Sequence, residues 1–159
     1  MFGDRRIGYR QSMTGIATSN LQVPDFNLPS STGQALSLES YRGKTPLVII
    51  FLPDLKASLR ILKRFSDRLA DFGDERAQLL AVATVDAKEA REIANDHDLL
   101  LPLLADESGS MALELNLQQA CHPVVIVADK GGRIRESISF PDAHIDGILD
   151  RVRRLRHES

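Results

Sequence analysis

Residues 46–72, PLVIIFLPDLKASLRILKRFSDRLADF, decide the fold. Leu47 to Leu52 is an unbroken apolar run, rich in β-branched residues and too short for an ordinary helix. Such a run suits a strand buried on both faces, inside a partly parallel sheet. Pro53 stops it, and Asp54 is placed to cap a helix start. Leu55, Leu59, Leu62, Phe65, Leu69 and Phe72 then recur at steps of three and four, which is one face of an amphipathic helix. Lys56, Arg60, Lys63, Arg64 and Arg68 occupy its other faces. Together these make a βα unit, in which the carboxyl end of a strand meets a helix N-terminus, an end that favours anions.

Downstream, Gln78–Val85 reads as a second buried strand. Asp86 can cap a helix from Ala87 to about His97, with Ala90, Ile93 and Ala94 turned inward. Leu101–Leu104 is a short strand. Ser108–Leu115 is a short helix with Met111, Ala112 and Leu115 inward. Pro123–Ala128 is a third apolar strand, and Asp129-Lys130-Gly131-Gly132 a hairpin turn. Arg133–Phe140 alternates, with Ile134, Ile138 and Phe140 sharing one face, as in an antiparallel edge strand with one wet side. Asp142 opens a last helix whose apolar row is Ile145, Ile148, Leu149, Val152 and Leu155. Its basic tail, Arg151 to His157, reads first as a solvated helix end that complements the dipole.

Upstream, residues 1–20 are polar, glycine-bearing and without apolar period, so a mobile leader is expected there, followed by one domain over residues 21–159. Pro24–Leu28 and Ala35–Leu38 are short extended pieces flanking a Ser30–Gly33 turn, which suggests a small hairpin. Glu39-Ser40-Tyr41 suits a single helical turn ended by Gly43.

Composition narrows the function classes. The 159 residues are 43% hydrophobic and 26% charged, enough for one domain with a sizeable core. A formal net charge of -2, with no tryptophan and 5% aromatic residues, argues against nucleic acid as a partner. No apolar run reaches the roughly 18 residues of a membrane span, and the N-terminus has no signal-peptide core, so a cytoplasmic location is expected. The single cysteine, Cys121, excludes an intrachain disulfide and any multi-cysteine zinc site. Asp54, Asp86 and Asp106 each end or follow a strand. A metal is one reading of them, but N-capping explains the first two more simply, and neither metal nor cofactor is expected.

The element order describes an α/β, thioredoxin-like fold: a central mixed sheet flanked by helices, with an N-terminal β-hairpin extension. Motifs in the same order resemble the peroxiredoxin and redoxin family, the alkyl hydroperoxide reductase and thiol-specific antioxidant group. Pro24-Asp25-Phe26-Asn27-Leu28-Pro29 resembles its PDFxLP segment. Gly33, Leu38 and Tyr41-Arg42-Gly43-Lys44 resemble G…L…YRGK, and Phe51-Leu52-Pro53 resembles the F-x-P closing the central strand. Pro102-Leu103-Leu104-Ala105-Asp106 is similar to FPLLSD, and Val125–Ile134 to the TFVIDxxGRI hairpin. The likeness covers about Val23 to Leu155.

The family's chemistry needs P-x-x-x-T-x-x-C after the central strand. Counted from Pro53, the threonine position is Ala57 and the cysteine position is Arg60. Arginine is always protonated and is no nucleophile. The family's arginine before the third strand is also missing, since none lies between Leu115 and Asp129. The resemblance further implies that Pro123 is the fold's cis-proline, lying against the helix N-terminus and bringing Cys121 and His122 towards Pro53, Ala57 and Arg60. So placed by the resemblance, a thiol beside His and Arg would be open to oxidation. Alternatively, Cys121 is a small hydrophobe at a strand start.

Three functions compete: a peroxiredoxin-like protein degenerate at the peroxidatic position, acting as a binding or regulatory module; an antioxidant peroxide or thiol oxidoreductase running on Cys121; and a small-anion binder using Arg60 and helix amides. The partner is a small molecule or a protein, and the resemblance implies a homodimer.

Overall fold

A computed structural model describes residues 22–139 and 144–158. Among these residues, seven strands and five α-helices occur in order. The strands are β1 (Asn27–Pro29), β2 (Ala35–Ser37), β3 (Leu47–Leu52), β4 (Gln78–Ala83), β5 (Leu103–Ala105), β6 (Val124–Ala128) and β7 (Ile134–Ser139). The helices are α1 (Leu59–Asp67), α2 (Leu69–Asp74), α3 (Ala87–Asp96), α4 (Ser110–Glu114) and α5 (Ile145–Glu158).

β3 is buried at all six positions because it lies in the middle of a five-stranded sheet of order β5-β4-β3-β6-β7. It pairs parallel with β4 and antiparallel with β6, so the sheet is mixed. Alternate residues feed two cores. Val48, Ile50 and Leu52 pack with α1, α2, α3 and α5 through Leu62, Phe65, Phe72, Ala90 and Val152. Leu47, Ile49 and Phe51 pack with α4 and the hairpin through Met111, Ala112, Leu38 and Phe26. The hairpin β1–β2 is tied to the sheet edge, where Ser31 N donates to the Leu103 carbonyl at 2.9 Å and Leu103 N to Ser31 Oγ at 3.0 Å. Arg42 joins two of the family-like segments, reaching Asp25 at 2.7 Å and Glu39 at 3.2 Å.

Two expectations need correction. The helix from Leu55 to Phe72 is not continuous. It opens with a 3-10 turn, Lys56–Ser58, runs as α1, and breaks at Arg68 before α2. The break lets Phe72 pack on Phe65, with ring centroids 6.2 Å apart. In an unbroken helix, seven residues would separate the two by about 10 Å along the axis. Arg68 itself bonds Asp71 and reaches Asp146 on α5 at 2.8 Å.

The second correction concerns β7. Ile134 and Ile138 do not share a face: Ile134 packs in the α4 core and Ile138 against the α1 core. A bulge sets Val127 opposite Glu136 but Ala128 opposite Ile134. The extra residue, Arg135, shifts the alternation by one and sends the two isoleucines to opposite sides. Phe140 and Asp142, expected to end the strand and open the last helix, lie outside the described residues.

Strand and helix boundaries elsewhere move by one to three residues, as for β1 at Asn27–Pro29, β5 at Leu103–Ala105 and α4 at Ser110–Glu114. Asp86 caps α3 as expected, accepting from Glu89 N at 2.8 Å.

Candidate functional site

The end of β3 delivers the chain to the rim where the family motif would place its chemistry. Pro53 is half-buried, and Asp54 Oδ1 accepts from Ala57 N at 3.3 Å, closing the first turn. Leu55 and Ser58 are buried beneath that turn, while Lys56, Ala57 and Arg60 face solvent. The exposed face thus carries a methyl group and a guanidinium where the resemblance would put a hydroxyl and a thiol.

β6 brings the other half. Phe51 pairs with Val124, so Pro123, which is buried, stands beyond the paired end of β6 at the same rim as Pro53. Cys121 and His122 precede it and are exposed. The Cys121 thiol points back to the Gln119 carbonyl, with Sγ 3.8 Å from the oxygen. The two residues border a hollow of about 350 Å³ with Asn116, Gln119, Val124 and Ser139. This hollow lies between the α4–β6 connection and the end of β7, and neither Ala57 nor Arg60 borders it. The prolines of the two halves therefore share one rim, but the thiol faces a hollow of its own.

The three carboxylates at the strand ends act separately. Asp54 and Asp86 cap their own helical turns. Asp106 is fully buried and holds α4, accepting from Met111 N at 3.0 Å, Ala112 N at 3.3 Å and Ser110 Oγ at 3.3 Å. Among the described residues no group of three or more His, Cys, Asp or Glu side chains could hold a metal ion. Sequence reasoning named Asp106 but not its role, because its partners belong to a helix whose N-cap is Gly109 and not the aspartate.

The AhpC/TSA family model matches residues 20–137, from before the hairpin to within β7. The chain belongs to the AhpC/TSA family. Among its peroxiredoxin relatives, the Mycobacterium tuberculosis protein Rv1608c, which carries a peroxiredoxin name, is 26% identical over 146 residues, covering 84% of this chain and 95% of its own. The thioredoxin-like protein YneN of Bacillus subtilis is 27% identical over 135 residues, with 80% and 75% covered. Peroxidoxin BcpB from Mycobacterium tuberculosis superposes with a TM-score of 0.77 at 24% identity, covering 87% of this chain and 97% of that one. The mitochondrial 2-Cys peroxiredoxin from Plasmodium falciparum does so at 0.73 and 14% identity, covering 86% and 92%. These structural likenesses establish the thioredoxin-like peroxiredoxin fold. No helix among the described residues is long and apolar enough to cross a membrane. In this peroxiredoxin-family chain the sole cysteine is the one before β6, and an exposed arginine opens α1.

Proposed function

We propose that this peroxiredoxin-family protein is degenerate at the peroxidatic position and acts as a binding or regulatory module rather than an efficient peroxidase. The supporting observation is the entry to α1, where Ala57 of the 3-10 turn and Arg60 are exposed and no thiol is present. Reduction of a peroxide needs a thiolate to attack one oxygen, the O–O bond to break, and the departing oxygen to leave as alcohol or water. The sulfenic acid so formed is then reduced by two thiols. Arg60 and nearby amides can still attract an anion, but they supply no bond-making atom. The bound partner is a small molecule or a protein, the protein forms a homodimer, and it works in the cytoplasm.

A second reading, an antioxidant oxidoreductase running on Cys121, draws on the exposure of that thiol beside His122. One experiment separates the two: peroxide loss under excess thiol reductant by wild type, Cys121→Ser and Arg60→Cys. The expected result is slow loss, close to that of free cysteine, equal in wild type and Cys121→Ser. Arg60→Cys should add little, because Ala57 and the missing arginine before β6 leave the transition state unsupported. Rapid loss that disappears in Cys121→Ser would replace the binding module with the oxidoreductase.

A further inference from the structure

At the opposite end of the sheet, the β6–β7 turn is built around one carboxylate. Asp129 Oδ1 accepts from Gly131 N and Arg133 N, both at 3.0 Å. Its Oδ2 faces Arg135 at 3.6 Å. Gly132, at φ 86°, closes the turn in a conformation that favours glycine, and the Lys130 carbonyl accepts from Gly43 N, seating the turn on the segment before β3.

Beneath it lies a cavity of about 500 Å³. Its described lining holds three cations, Lys130, Arg133 and Arg135, and one carboxylate, Asp129. Asp129 is already committed to the turn amides and to Arg135. The side chains of Lys130 and Arg133 have no acidic partner among the described residues. Like charges gathered in a concavity repel one another, and a bound anion relieves that repulsion. Pro46 and Leu155, both buried, supply an apolar portion of the wall.

We propose that this cavity binds a small organic phosphate. An arginine fork and a lysine point charge are the side chains that recognise phosphoryl oxygens. The volume falls in the range of small-molecule sites, roughly 300–1,000 Å³, and leaves room for an organic group against Pro46 and Leu155. The site is at the amino end of β3, away from Pro53 and Pro123, so it stands or falls independently of the peroxidase question.

The test is two-dimensional amide NMR of the full chain titrated with phenyl phosphate, inorganic phosphate and benzoate. Saturable shifts at Gly131, Gly132 and Arg133 are expected, with phenyl phosphate binding tighter than the other two. In the variant carrying Lys130→Ala and Arg133→Ala, affinity should fall at least about tenfold. Arg133→Lys, which keeps the charge but not the fork, should lie between. Absence of saturation up to roughly 10 mM phenyl phosphate would overturn the proposal. So would equal binding of benzoate, or an unchanged response in the double variant.

Discussion

Asp106 shows how one residue can serve the fold while resembling a site. A carboxylate out of contact with water is costly unless its oxygens are fully used. Here they take two amides and a hydroxyl of α4, a helix of five residues that cannot persist on its own propensity. Asp106→Ala would strand the buried Met111 and Ala112 amides. We expect a loss of about 2–4 kcal/mol in urea unfolding, with Asp106→Asn losing less. A loss below about 0.5 kcal/mol in the alanine variant would contradict this role. Arg60 is the opposite case: exposed, without an ion-pair partner among the described residues, and free to be changed without disturbing the core.

At the scale of elements, α1 carries an unusual charge sequence. Arg60, Arg64 and Arg68 succeed one another at intervals of four, with Lys56 one step earlier in the 3-10 turn. Arg68 is answered by Asp71 and Asp146, and Lys63 by Asp67 at 3.3 Å. Arg60 has like charges on both sides. Repulsive pairs at this spacing cost about 0.2–0.5 kcal/mol each. Arg60→Glu turns two repulsions into attractions and should stabilise the protein by roughly 0.5–1 kcal/mol, read as a higher urea midpoint at low salt. An unchanged or lower midpoint would show that Arg60 already has an anionic neighbour in solution. At the bend between α1 and α2, Arg68 pairs with Asp146 of α5 and Phe72 packs on Phe65.

Across the whole molecule, the two cores meet at the shared strands β3, β4 and β6, whose side chains alternate between them. Neither layer can be lost without exposing the back of the other. On this ground we propose that the described residues, within the domain expected over 21–159, form one folding unit. Phe65→Ala in one core and Leu80→Ala in the other, both fully buried in the native protein, should each cost about 2–5 kcal/mol. Each should lower a single transition in which far-ultraviolet dichroism and tyrosine fluorescence coincide. Two separated transitions in either variant would refute a common unit.

What the sequence determined by itself was whatever depends on neighbours along the chain. The apolar run Leu47–Leu52 marked the buried central strand, because only a strand covered on both faces needs apolar residues at every position. Asp86 marked a helix start three residues before the amide it caps, and Asp129-Lys130-Gly131-Gly132 marked the turn. The ordered motifs from Pro24 to Ile134 carried the family. What the tertiary structure alone decided depends on partners far away in sequence. At the bend, Arg68 meets a residue 78 positions on. The split of Ile134 from Ile138 rests on a bulge: their even spacing reads as one face, but the extra residue Arg135 reverses the facing of the side chains beyond it. The hollow beside Cys121 and the cationic cavity beneath the β6–β7 turn are likewise assembled from segments that meet only when the sheet closes.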